Sequence, residues 1–72
     1  MTDENITKKK QRWTAFKRER QKARLTQEQA SERLNISLRS LQAYEEGEYS
    51  PSFENAVKMA KLYGCELNDF ID

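Results

Sequence analysis

Along most of this chain apolar side chains recur every three or four positions, the repeat of an α-helix rather than the alternation of a strand. Trp13, Phe16 and Ala23, with Arg20 between them, share one face and predict a helix over residues 12–23. Its opposite face is basic, with Lys17, Arg18, Lys22 and Arg24. A second helix is predicted over Gln27–Leu34, with Thr26 as N-cap and Glu28 and Gln29 in its electropositive first turn. Asn35, of a type that tolerates the left-handed conformation, ends it. Ser37 caps a third helix from Leu38 to about Glu46, and Gly47 supplies the positive φ that stops it. In that helix Leu41 and Tyr44 face inward, which leaves Leu38, Arg39, Gln42, Ala43 and Glu46 outward. Beyond Pro51, Ser52 caps a fourth helix to about Tyr63, its apolar stripe made of Phe53, Ala56, Val57, Ala60 and Tyr63. Gly64 ends it as a left-handed cap. Leu67 to Ile71 predicts a final short helix, with Leu67 and Phe70 closing the core. The expected fold is all-α, a compact five-helix domain over residues 12–72. Residues 1–11 have no apolar period and are expected to form a disordered basic arm.

Composition narrows the chemistry. A chain of 72 residues makes one domain. A domain of this size buries only about 60% of its unfolded surface, so its helices must pack well. No apolar run approaches about 18 residues, so no membrane span is expected, and the polar start argues against a secretory signal. The single cysteine, Cys65, has no internal partner, which suits a reducing cytoplasm, and its apolar slot predicts a buried structural thiol. Histidine is absent. That removes the commonest general base and metal ligand, and with one cysteine it excludes structural zinc sites and nucleophile–histidine pairs. Neither enzyme activity, nor a metal, nor a cofactor is expected.

The stretch from Thr26 to Pro51 organises the rest: two short helices joined by a tight turn, the layout of a helix-turn-helix whose second helix fits a DNA major groove. Its residues resemble the phage repressor and Cro family of such domains. Gln27 opens the first helix of the pair, the small Ser31 follows four places on, and Asn35 takes the turn. Ile36, Leu41 and Tyr44 fill apolar slots, and Glu45-Glu46-Gly47 with Pro51 matches the family's ending. The resemblance runs from about Phe16 to Phe70. It implies a five-helix repressor-like domain with an ion pair between Arg20 and Glu45, and base reading from the slots of Leu38, Arg39, Gln42 and Ala43. It also implies phosphate contacts from Gln27 and the backbone N–H groups beside it, with Ser40 a further candidate. Two positions depart from the family: Glu19 stands where Leu is usual. Ala30 stands where a large aliphatic is usual, so Trp13 or Phe53 is expected to fill the space.

The net charge of +1 conceals an asymmetry. Residues 1–24 carry nine basic and three acidic groups, whereas residues 25–72 carry four and nine. Such a distribution can set a positive surface against phosphate while the remainder stays acidic. Lys8, Lys9 and Lys10 in the arm would add attraction independent of sequence. Against DNA stand Glu46, Glu48 and Tyr49, where many family members place Lys or Arg. The expectation is a cytoplasmic, sequence-specific double-stranded DNA-binding regulator, a repressor from a phage, mobile element or bacterium. It would act as a homodimer on an inverted repeat with half-sites about 34 Å apart. The alternative is a helix-turn-helix module that binds a protein, as an antitoxin or antirepressor does.

Overall fold

The computed structural model describes residues 15–71. Among them are four α-helices: α1 (Phe16–Lys22), α2 (Gln27–Leu34), α3 (Leu38–Glu46) and α4 (Phe53–Tyr63), followed by a 3₁₀ turn, Leu67–Phe70. The start of the expected first helix, with Trp13, and the arm with Lys8, Lys9 and Lys10 lie outside the described residues. The fifth expected helix is that single 3₁₀ turn and not an α-helix. The Asp69 carboxylate accepts from the Glu66 backbone N–H at 2.9 Å, and Asp69 N–H donates to the Glu66 carbonyl at 2.9 Å. This closes one tight turn, after which Ile71 is extended (φ −97°, ψ 129°).

Helix starts follow cap chemistry. Thr26 and Gln29 form a reciprocal box: Gln29 N–H donates to Thr26 Oγ1 at 3.0 Å, and Thr26 N–H to Gln29 Oε1 at 2.9 Å. The hydroxyls of Ser37 and Ser52 accept from the backbone of Ser40 and Asn55. Helix ends share one device. Each α-helix is followed by a left-handed residue: Arg24 (φ 63°), Asn35 (φ 60°), Gly47 (φ 81°) and Gly64 (φ 73°). The residue after each donates back to a carbonyl in the last turn: Leu25 to Arg20, Ile36 to Ser31, Glu48 to Ala43 and Cys65 to Ala60. Leu25, Ile36 and Cys65 then pack on the core, the apolar contact that accompanies this stop. Glu48 is the exception and is exposed.

The core gathers Phe16, Ala30, Leu34, Leu41, Met59, Ala60, Tyr63 and Phe70 from all five elements. The rings of Phe16 and Phe70 lie 4.6 Å apart, and Tyr63 meets Phe70 edge-on at 6.2 Å. Ala15 N–H donates to the Phe70 carbonyl at 3.2 Å, tying the start of α1 to the chain's end. Phe53 departs from expectation, for it is 70% exposed. The buried stripe of α4 is Ala56, Met59, Ala60 and Tyr63, so the first turn overhangs the core and Phe53 stands outside it. Ala30 shares one cluster with the fully buried Phe16, Leu41, Met59 and Phe70, and Trp13, the other side chain expected to fill the space beside it, lies outside the described residues. Glu19 is buried on α1, where its carboxylate meets Arg18 Nε at 3.2 Å and Lys22 Nζ at 3.6 Å. Two exposed cations thus cover a carboxylate in a slot where an aliphatic would otherwise pack.

The left-handed stops yield a pair of opposed predictions. A non-glycine residue in this conformation is strained by about 1–2 kcal/mol. Arg24→Gly should therefore stabilise the domain by about 1 kcal/mol, after allowance for the added freedom of the unfolded chain. Gly64→Ala should destabilise it by about 1–2 kcal/mol through backbone strain, since a Cβ at Gly64 would meet nothing within 4 Å. Thermal unfolding of the two variants measures both; an unchanged melting temperature in either would contradict the account.

Candidate nucleic-acid interface

The turn between α2 and α3 is built from Asn35, Ile36 and Ser37. Asn35 reverses the chain, Ile36 packs on the core, and Ser37 caps α3 while its hydroxyl donates to Ser40 Oγ at 2.9 Å. Leu41 anchors α3 from beneath, fully buried. Tyr44, half-buried, packs on the core and accepts from Asn55 Nδ2 at 3.3 Å. These contacts turn one face of α3 outward, with Arg39, Gln42 and Glu46 at helical spacing. Arg39 and Glu46 are exposed, and Leu38, Ser40 and Gln42 are half-buried. Ala43 corrects the expectation that it projects, being only 4% exposed. It forms the floor of a hollow whose walls are Arg39, Gln42, Glu46, Glu48 and Tyr49, all longer side chains.

Beneath this face runs a chain of polar contacts. Arg20 Nε donates to Glu45 Oε2 at 2.6 Å and Nη2 to Glu45 Oε1 at 3.1 Å, a fork-to-fork pair. Arg20 Nη1 also donates to the Leu25 carbonyl at 2.8 Å. Both side chains of the pair are buried, 8% and 3% exposed. The Glu45 hydrogen bond holds the Arg20 guanidinium above its ordinary pKa, against the opposing effect of burial. Glu45 Oε1 accepts again, from Gln27 Nε2 at 3.0 Å, and Gln27 Oε1 accepts from Gln42 Nε2 at 3.4 Å. The amide of Gln27, expected on a phosphate, is thus turned towards Glu45 and Gln42. Nothing in the sequence pattern pointed to this, because Gln27 and Gln42 lie on different helices and only the crossing of α2 and α3 brings them together.

Elsewhere the described residues offer little chemistry. No group of three or more His, Cys, Asp or Glu among them could hold a metal ion. None of the described helices is long and apolar enough to cross a membrane. Cys65 is half-buried rather than enclosed, and burial, with Glu19 and Asp69 nearby, pushes its thiol up to about 11. The Tyr63 hydroxyl is buried without a hydrogen-bond partner among the described residues, and that burial raises its pKa.

A capped helix pair with a left-handed turn, its second helix docked through Leu41 and Tyr44, defines a helix-turn-helix domain. The sequence profile of that family, described as helix-turn-helix, matches residues 16–70. The chain therefore belongs to the helix-turn-helix family, of the Cro/C1 type, a family of DNA-binding transcription regulators. It is similar to an uncharacterised HTH-type transcriptional regulator of Methanocaldococcus jannaschii, 40% identical over 45 residues, which is 62% of this chain and 68% of that protein. It is also similar to an uncharacterised HTH-type transcriptional regulator of Archaeoglobus fulgidus, 30% identical over 56 residues, or 78% and 79% of the two chains. No solved structure matches the chain with comparable significance.

Removing one partner of the buried pair should be costly, because the survivor keeps an uncompensated charge. Glu45→Ala or Arg20→Ala is expected to lose about 3–5 kcal/mol. The double variant should lose less than the two combined, as a denaturant-unfolding cycle would reveal. Cys65 gives a pH prediction. Its folded pKa lies above the unfolded value, so the folded thiol stays protonated where the unfolded one has ionised. Its contribution to stability is complete below the unfolded pKa and is lost as pH rises towards about 11. Iodoacetamide alkylation of the folded protein should keep accelerating up to about pH 11, past the point where the urea-unfolded chain levels off. A plateau shared by both forms would contradict the shift.

Proposed function

We propose that this protein is a sequence-specific double-stranded DNA-binding transcriptional regulator, and that it represses by occupying its operator with α3 in the major groove. The observation that supports this most is the outward face of α3, where Arg39 and Gln42 stand on a helix fixed from below by Leu41 and by the buried Arg20–Glu45 pair. Arg39 is suited to guanine O6 and N7, and Gln42 to adenine N6 and N7. Leu38 offers an apolar contact to a thymine methyl. Ala43, recessed, would accept such a methyl only at the floor of its hollow. Ser40 and the free backbone N–H groups at the start of α2, around Gln27, are suited to phosphate. Lys8, Lys9 and Lys10 add attraction that every sequence shares. One recognition helix spans too few base pairs for useful specificity, so a homodimer on an inverted repeat is the working form, acting in the cytoplasm.

A second reading, a protein-binding module, draws on the exposed Tyr49 (59%), which shares a hollow with the carboxylates Glu46 and Glu48, and on the exposed Phe53 (70%). A salt series separates the two. Binding through several phosphates weakens linearly in log salt, whereas an apolar contact responds far less.

Selection from a random duplex library at physiological salt tests the main reading. Retained sequences should contain an inverted repeat with half-sites about one helical turn apart. Arg39→Ala should then relax one base position by about 1–3 kcal/mol, and Lys8→Ala should weaken all sequences alike. Equal weakening without altered preference in both variants would remove Arg39 from the readers. A folded protein that enriches no sequence would favour the protein-binding module.

A further inference from the structure

We infer that Gln27 is a positioning residue for Gln42, and that the polar chain from Arg20 fixes which edge of the Gln42 amide meets the DNA, selecting adenine. This rests on the reading of α3 as the helix that enters the major groove. The argument is one of hydrogen-bond polarity. A guanidinium only donates, and the carboxylate paired with it only accepts. Glu45 already takes Arg20 Nε at 2.6 Å and Nη2 at 3.1 Å, so the group of Gln27 that meets it at 3.0 Å is the amide nitrogen. That choice turns Gln27 Oε1 away from the carboxylate. There it can only accept, and it accepts from Gln42 Nε2 at 3.4 Å.

One N–H of Gln42 is therefore committed inside the protein. Its Oε1 and its second N–H remain for a base edge. An acceptor beside a donor matches adenine, which presents the N6 amino group and N7 in the major groove. Guanine presents two acceptors, so its O6 would face the oxygen of Gln42. Without Gln27 the amide could rotate and offer its nitrogen instead, and discrimination between the two purines would fall. The contact from Gln42 is the longest in the chain, while Gln27 and Gln42 are both half-buried. Its loss should therefore change preference more than folding. Arg20, placed beneath the interface and away from the bases, would in this way influence a base position through two intervening side chains.

The test uses the full chain, selection from a random duplex library, and two variants. Gln42→Ala should erase the preference at one base pair in each half-site, identifying the position. Gln27→Met keeps the length of the side chain but removes the amide. It should lower the adenine-over-guanine preference at that same pair by roughly tenfold, the scale of one bidentate base contact, while other positions hold. If the wild type yields a motif and Gln27→Met weakens every sequence alike, Gln27 is a phosphate contact and the inference fails alone. If the wild type yields no motif, the inference fails together with the DNA-binding reading. A second measurement covers a Gln27→Met chain that does not fold. In the free wild-type protein, NMR should find one of the two Gln42 side-chain amide protons slowed in exchange with solvent. A Gln42 amide with fully solvated values would overturn the inference.

Discussion

The guanidinium of Arg20 is the group on which the arrangement of helices depends. It projects from α1, and its five donors serve parts of the chain that are otherwise separate. One reaches the Leu25 carbonyl in the connection to α2, and two grip Glu45 near the end of α3. Glu45 then accepts from Gln27 at the start of α2. Three helices and one connection are thereby referred to a single side chain. Burial of a charge pair is weak evidence for net stability, since apolar residues of the same volume often do as well. Its effect here is geometric. An apolar substitute would tolerate sliding of α3 over α1, whereas a fork-to-fork pair closing at 2.6 and 3.1 Å does not. A helix meant to present particular side chains to base edges needs that fixity more than it needs added stability.

The helices themselves explain why such fixity has to be supplied. They run to 7, 8, 9 and 11 residues, too short to persist in water alone. Each is held by its ends and by packing. Side-chain caps satisfy the first turns of α2, α3 and α4, and a left-handed residue closes each of the four described α-helices. Among the described residues, the largest fully buried side chains are Phe16, Phe70, Leu41 and Met59. A modest core with short helices leaves little margin, so each cap and each stop carries a sizeable share of the stability.

Much of the fold could be read from the sequence because caps and stops are local. Thr26, Ser37 and Ser52 mark helix starts by their own hydroxyls, and Asn35, Gly47 and Gly64 mark ends by their tolerance of positive φ. The outward face of α3 followed from helical spacing, whereas the ion pair came from the resemblance. What escaped was set by neighbours. Arg24 takes a left-handed conformation that nothing in its residue type announces; the Leu25-to-Arg20 bond and the packing of Leu25 impose it. Phe53 has the right spacing for the core, but its turn of α4 overhangs it. Met59 enters the core although the expected stripe named Val57, because the buried face runs through Ala56, Ala60 and Tyr63 and Met59 lies on it at helical spacing. At the candidate site, Ala43 sits lower than its place on the helix suggested, shaded by longer residues. The amide of Gln27 is turned inward by a carboxylate on another helix.

The exposed Glu48 links the folding device to the surface that would meet DNA. At the ends of α1, α2 and α4 the residue that donates back into the helix is Leu25, Ile36 or Cys65, and each is fastened to the core. At the end of α3 the same bond is made by Glu48, at 2.9 Å, but its side chain is exposed. The backbone of α3 is therefore terminated as firmly as the others, while the loop that follows lacks the apolar staple. Glu48 and the largely exposed Tyr49 are left on the rim of the hollow above Ala43, beside Arg39 and Gln42. With α3 in a major groove, a carboxylate there would repel phosphate, lower attraction to DNA of any sequence and leave hydrogen bonds to base edges to provide discrimination. On the proposed reading it would place a larger share of recognition on α3, a helix whose position Arg20 helps to secure.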